Sequence, residues 1–119
     1  MNIRKFKTGA TRDTSDGKLE YARFLDPRVI RTFAEYMHAH RKQSDGTLRE
    51  PDNWKKGIER SVYMDSLFRH LMDLWELHQY GKSVRHETGK EITFTETLCA
   101  ILFNTFGYLY EYLKEYNSK

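Results

Sequence analysis

Residues 93–116 limit the fold of this chain more than any other segment. Leu98, Ile101, Leu102, Phe103, Phe106, Leu109 and Leu113 make this stretch apolar nearly all round. A helix of that kind must lie at the centre of its domain or pack against a second subunit. Thr93 and Glu96 stand at capping-box spacing where it begins. Two further helices are expected to cover it. One starts at Asp26-Pro27, an N-cap acid followed by proline at the first helical position, and Val29, Ile30, Phe33, Ala34 and Met37 carry it to about Arg41. The other runs from about Ser61 to Tyr80, with Met64, Leu67, Phe68, Leu71, Leu74, Trp75 and His78 on one stripe and Gly81 as its stop.

The remaining segments read as connections. Lys42 to Ile58 is rich in turn formers, and a loop of that length in a small domain is more often functional than idle. Lys82 to Ile92 reads as a second loop, and residues 1–25 show no helical period, with Lys18 to Phe24 suiting an extended arm or a short strand. The expected architecture is all-α (mainly α). It is one domain, with residues 1–25 as a basic arm and 26–119 as a small bundle of three long helices.

Composition narrows the function. The single cysteine, Cys99, has no partner for a disulfide and sits in the apolar run Leu98 to Leu102, so it reads as a core residue. Met1 to Lys7 has basic residues but no apolar stretch behind them, and no apolar run reaches the roughly 18 residues of a membrane span, so a cytoplasmic location is expected. A net charge of +3 is too small to mark a binder of duplex nucleic acid. Arg4, Lys5, Lys7, Arg12 and Lys18 nevertheless crowd the arm, which suits either a phosphate-bearing ligand or a solvated terminus.

On the 61–80 helix, Asp65, Arg69, Asp73 and Glu76 share a polar face with His70 beside it. Carboxylates one turn apart, facing Glu35 on the first helix, are the oxygen ligands that Mg²⁺ takes while it bridges phosphates. The same spacing also makes ordinary ion pairs. Asp73, Glu76 and Glu35 are the expected metal ligands, and His38 and Glu96 are further donors, although the capping box already accounts for Glu96. Asn104, in the middle of an apolar helix, has to bond either within the core or to a ligand. Trp54 or Tyr63 would stack a base, and Trp54 reads equally as an anchor of the long loop. His70 is expected to face the 42–58 loop near Asn53 and Trp54. No Gly-rich loop ends in Gly-Lys-Ser/Thr.

Gly9-Ala10-Thr11-Arg12-Asp13 with Gly17-Lys18 and Tyr21, then Asp52-Asn53-Trp54-Lys55-Lys56-Gly57-Ile58, then Leu67-Phe68-Arg69-His70-Leu71 and Asn104 resemble a phage family, the dATP/dGTP diphosphohydrolase N-terminal domain. That resemblance implies a MazG-like, all-α, Mg²⁺-dependent enzyme that cuts purine deoxynucleoside triphosphates to monophosphate and pyrophosphate, and an oligomer of viral origin. On this reading Arg69, His70 and Lys18 serve catalysis, and Arg12, Asn53, Trp54, Lys56, Tyr63 and Asn104 bind the nucleotide. The Glu-Glu-x-x-Glu and Glu-x-x-Asp clusters of MazG-like enzymes are not intact here, and Ala100 and Thr97 stand where the family often has histidine. The alternatives are a protein that sequesters a signalling nucleotide without cutting it, and a purely structural helical oligomer.

Overall fold

Local chemistry marks an end of each long helix in the computed structural model, which describes residues 3–14, 16–84 and 88–117. Helix α2 (Pro27–Ala39) starts where Asp26 accepts the backbone N–H of Arg28 at 2.8 Å, with Pro27 at the first position. The Arg28 guanidinium holds the Asp26 carboxyl below its ordinary pKa, helped by that backbone bond. Helix α3 (Arg60–Tyr80) ends at Gly81, whose φ of 79° is the left-handed conformation a C-terminal cap needs. Helix α4 (Phe94–Asn117) opens on the Thr93 hydroxyl, which accepts the Glu96 N–H at 3.1 Å. The signals in the sequence place all three helices.

The connections carry more structure than a sequence pattern reveals. Residues 1–25 are not a plain extended arm. Strand β1 (Ile3–Lys5) pairs antiparallel with β2 (Thr11–Asp13), Arg4 opposite Arg12, and one helical turn, α1 (Tyr21–Phe24), follows. The 42–58 loop holds a bridge between Lys42 and Leu48 and a 3-10 turn over Asn53–Lys56. The segment expected as a second loop forms a short hairpin, β3 (Ser83–Val84) with β4 (Glu91–Ile92); its residues 85–87 lie outside the described ones. Strands of two or three residues are too short to show an alternating pattern.

The fold is mainly α. Helices α3 and α4 pack antiparallel along their length, and α2 lies more lightly on α4. At the centre, Tyr63 is 1% exposed and its ring lies over Gly107, with Phe103 edge-on at 5.6 Å. Leu77, Ile92, Cys99 and Ala100 complete the apolar core, and Thr97, Asn104 and Ser83 are buried among them. The hairpin β1–β2 and α1 stand away from this core: of the described residues from 3 to 24, all but Thr14 and Glu20 are exposed. The radius of gyration is accordingly 20.0 Å, against about 13–14 Å for a compact domain of this length.

Cys99 lies where α4 meets α2, its thiol directed at the Thr32 carbonyl oxygen, 3.9 Å away. Burial raises its pKa above the ordinary thiol value. The thiolate is the reactive form. At neutral pH a thiol reagent is therefore expected to label the folded protein far more slowly than the denatured chain, and equal rates would mean that α2 does not cover this part of α4.

Candidate functional site

The C-terminus of α2, the 42–58 loop and α4 enclose a cavity of about 620 Å³. That volume lies within the range of small-molecule sites, roughly 300–1,000 Å³. Its walls combine aromatic and basic side chains: Tyr36, Trp54 and Phe103 with His40, Arg41, Lys42 and Arg49; Glu50 is the carboxylate among them. Helix α2 stops here because Arg41 Nε donates to the His38 carbonyl at 3.0 Å and Arg49 Nη1 to that of His40 at 3.1 Å. Cations there also complement the negative end of the helix dipole. Among the described residues, none of Arg41, Lys42 and Arg49 pairs with a carboxylate. Each guanidinium has five N–H donors, so both keep several for a ligand.

Trp54 sits edge-on to Tyr110 of α4, ring centroids 4.8 Å apart. It therefore anchors the loop, as one sequence reading has it, and lines the cavity as well. Asn53 opens the 3-10 turn and also lines the cavity. His40 lies against Tyr36, centroids 4.1 Å apart, and its Nδ1 is 2.8 Å from the Tyr36 carbonyl.

The other expected site residues fall elsewhere. Arg12 and Lys18 line a shallow depression of their own with Ile3, Thr11 and Asp13. Lys56 is exposed on the 3-10 turn. Tyr63 cannot stack a base, because its ring is enclosed between α3 and α4. Asn104 turns its amide N–H to the Ala100 carbonyl of its own helix at 2.8 Å, which favours the internal role. His70 does not reach Asn53 or Trp54. It points between α2 and α4 into a cavity of about 40 Å³ beside Tyr36, His40, Glu96 and Thr97, and its Nδ1 lies 3.6 Å from Asp73.

The acids do not form the expected Mg²⁺ set. Asp73 lies beside His70, 3.6 Å from its Nδ1, Glu76 accepts the Ser83 hydroxyl at 3.3 Å, and Glu35 is exposed on α2. No group of three or more His, Cys, Asp or Glu among the described residues is close enough to hold a metal ion. The ion pairs expected along Asp65, Arg69 and Asp73 are also absent among the described residues, since Asp73 turns inward while Arg69 and Asp65 stay exposed. Replacing Arg69 with alanine is expected to change stability by no more than about 0.5 kcal/mol. Nucleotide binding should be untouched; a tenfold loss in a binding titration would place a ligand on this face instead.

The sequence reading missed His40, Arg41, Lys42 and Arg49. The signal was the basic run from His38 to Lys42 at a helix end, with Arg49 one turn-rich loop later. No helix among the described residues is long and apolar enough to cross a membrane. Comparison with protein-family models, curated proteins and solved structures finds no match to this chain.

Proposed function

We propose that this protein binds a nucleoside phosphate in the cavity between α2, the 42–58 loop and α4, and sequesters it. The observation that carries this reading is the set of three cations unpaired with any described carboxylate, gathered with Tyr36, Trp54 and Phe103 around about 620 Å³. A base finds stacking surface at Trp54 or Tyr36, and phosphate oxygens accept charge-assisted hydrogen bonds from Arg41 and Arg49, with Lys42 adding a third positive charge. Sequestering is favoured over cutting because Glu35, Asp73 and Glu76 are dispersed within one copy of the chain. The resemblance to phage dATP/dGTP diphosphohydrolases supports a purine nucleotide as the ligand.

The test is to incubate the protein with nucleoside triphosphates, deoxynucleoside triphosphates and cyclic nucleotides in the presence of Mg²⁺. Chromatography then reads the products and the retained ligand. Recovery of an unchanged nucleotide is the expected result. Release of pyrophosphate would overturn sequestration in favour of the pyrophosphohydrolase, and no retained or altered nucleotide would remove the nucleotide reading.

A further inference from the structure

The two sides of the nucleotide cavity are fastened to different helices. The cationic side is tied to α2: the Arg49 N–H donates to the Arg41 carbonyl at 2.8 Å, the Arg49 guanidinium to that of His40 at 3.1 Å, and Lys42 bridges to Leu48. The side formed by Asn53, Trp54 and Ile58 is tied to α4. Between them runs a short turn over 50–53, closed by the Asn53 N–H on the Glu50 carbonyl at 3.0 Å. Gly57 then turns the chain towards α3 with a φ of 126°, and the N–H that follows, that of Ile58, has no backbone acceptor among the described residues. Glu111 takes it up. Its Oε1 accepts the Ile58 N–H at 3.3 Å, while its Oε2 pairs with Lys114 Nζ at 3.0 Å. The Glu111 side chain is 13% exposed, so water screens these contacts little. Lys114 Nζ also stands 5.1 Å from the centre of the Tyr110 ring, against which Trp54 packs. Neither Glu111 nor Lys114 lines the cavity itself.

We propose that Glu111 is a positioning residue of the nucleotide site: by holding the Ile58 N–H it sets segment 53–58, and with it the Trp54 indole on which the base stacks. The inference rests on the function proposed above. Its physical basis is the cost of a partly buried N–H without an acceptor. Once the carboxylate is gone, the segment has to shift until the Ile58 N–H reaches water, and Trp54, four residues earlier in the same segment, moves with it. The cations do not follow, because their bonds run to the end of α2 and none of them involves α4. Glu111 should therefore govern the contribution of the base and leave that of the phosphates alone. A role confined to stabilising the fold makes no such distinction between two ligands of the same cavity. The Lys114 hydrogen bond, working against burial, lowers the Glu111 pKa and keeps the acceptor ionised.

The test compares the unaltered protein with Glu111→Ala and Glu111→Gln. Amide hydrogen exchange without ligand is expected to speed up over residues 53–58 in Glu111→Ala and to stay unchanged over 41–49, with helical circular dichroism retained. Isothermal titration should then show nucleotide affinity lower by roughly fivefold or more in that variant, the share that stacking supplies, and unchanged affinity for inorganic pyrophosphate. Glu111→Gln, whose amide oxygen still accepts the Ile58 N–H, should bring both readings back close to those of the unaltered protein; it also carries the comparison if the alanine variant does not fold, since a glutamine variant with fast exchange over 53–58 contradicts the proposed bond. Unchanged exchange over 53–58 in Glu111→Ala, equal losses for nucleotide and pyrophosphate, or a glutamine variant as impaired as the alanine one would overturn the positioning role while the nucleotide site stands. If the unaltered protein binds no nucleotide, the proposed function fails and the positioning role falls with it, even where exchange shows the bond in place.

Discussion

Replacing Gly107 with alanine is expected to destabilise the protein by about 1–3 kcal/mol, although helix propensity alone favours alanine over glycine by about 1 kcal/mol. Packing decides the sign. A Cβ on Gly107 would fall within the Tyr63 ring, 2.6 Å from its hydroxyl oxygen, and that ring cannot swing away because it is enclosed by α4 and Phe103. The clash forces the two helices apart where Tyr63 meets Gly107 and so disturbs the pair on which the fold depends. In a thermal melt at fixed protein concentration the midpoint should drop by several degrees for each kcal/mol. A double-mutant cycle separates the clash from a general effect: in a Tyr63→Leu background the alanine should cost less, with a coupling of about 0.5–3 kcal/mol. A rise in the midpoint, as propensity alone dictates, would show that Tyr63 does not sit over Gly107. Burial, helped by the charge of Glu111, raises the Tyr63 pKa, so the neutral phenol is the form the fold favours. The stability this gives is fully present below the unfolded pKa of tyrosine and is lost as pH rises through the higher folded value.

The helices were legible because their ends are written in short-range chemistry. Asp26-Pro27, Gly81 and the pair Thr93 and Glu96 each act within four residues, and each sits where the sequence puts it. Tertiary pairing was not legible in the same way. Spacing shows that Met64, Phe68, Leu71 and Trp75 share a stripe, but the stripe that packs on α4 is the one through Tyr63, whose ring fills the space that Gly107 leaves without a side chain. The same limit divided the expected site. Asn53 and Trp54 reach the cavity, whereas Tyr63 and Asn104 face the α3–α4 interface and Arg12 and Lys18 line the separate depression at the hairpin. The basic cluster that drew attention lies in the arm. The one that lines the cavity, His40, Arg41, Lys42 and Arg49, is brought together by the bridge between Lys42 and Leu48, which folds the loop back and which no periodicity encodes.

Arg49→Ala and Trp54→Leu are expected to weaken nucleotide binding by different routes. Arg49 is exposed, and its Nη1 bond to the His40 carbonyl leaves most of its donors available. Losing a charge-assisted contact of about 1.5–3 kcal/mol lowers affinity by roughly tenfold to a hundredfold or more, at about 1.4 kcal/mol per tenfold. The loss should shrink as salt rises, because added ions screen the same attraction in the unaltered protein. Trp54→Leu keeps an apolar side chain against Tyr110, so the loop stays anchored, and removes the stacking surface, about 1–3 kcal/mol per base. Its effect should be nearly independent of salt and should vanish for inorganic pyrophosphate, which has no base to stack. Isothermal titration of both variants against a nucleotide and pyrophosphate, at two salt concentrations, separates the contributions. If Arg49→Ala leaves the dissociation constant unchanged, the cations at the end of α2 only cap that helix, and the phosphate does not lie in this cavity. If Trp54→Leu weakens pyrophosphate as strongly as it weakens the nucleotide, the indole holds the loop in place and the base is read elsewhere.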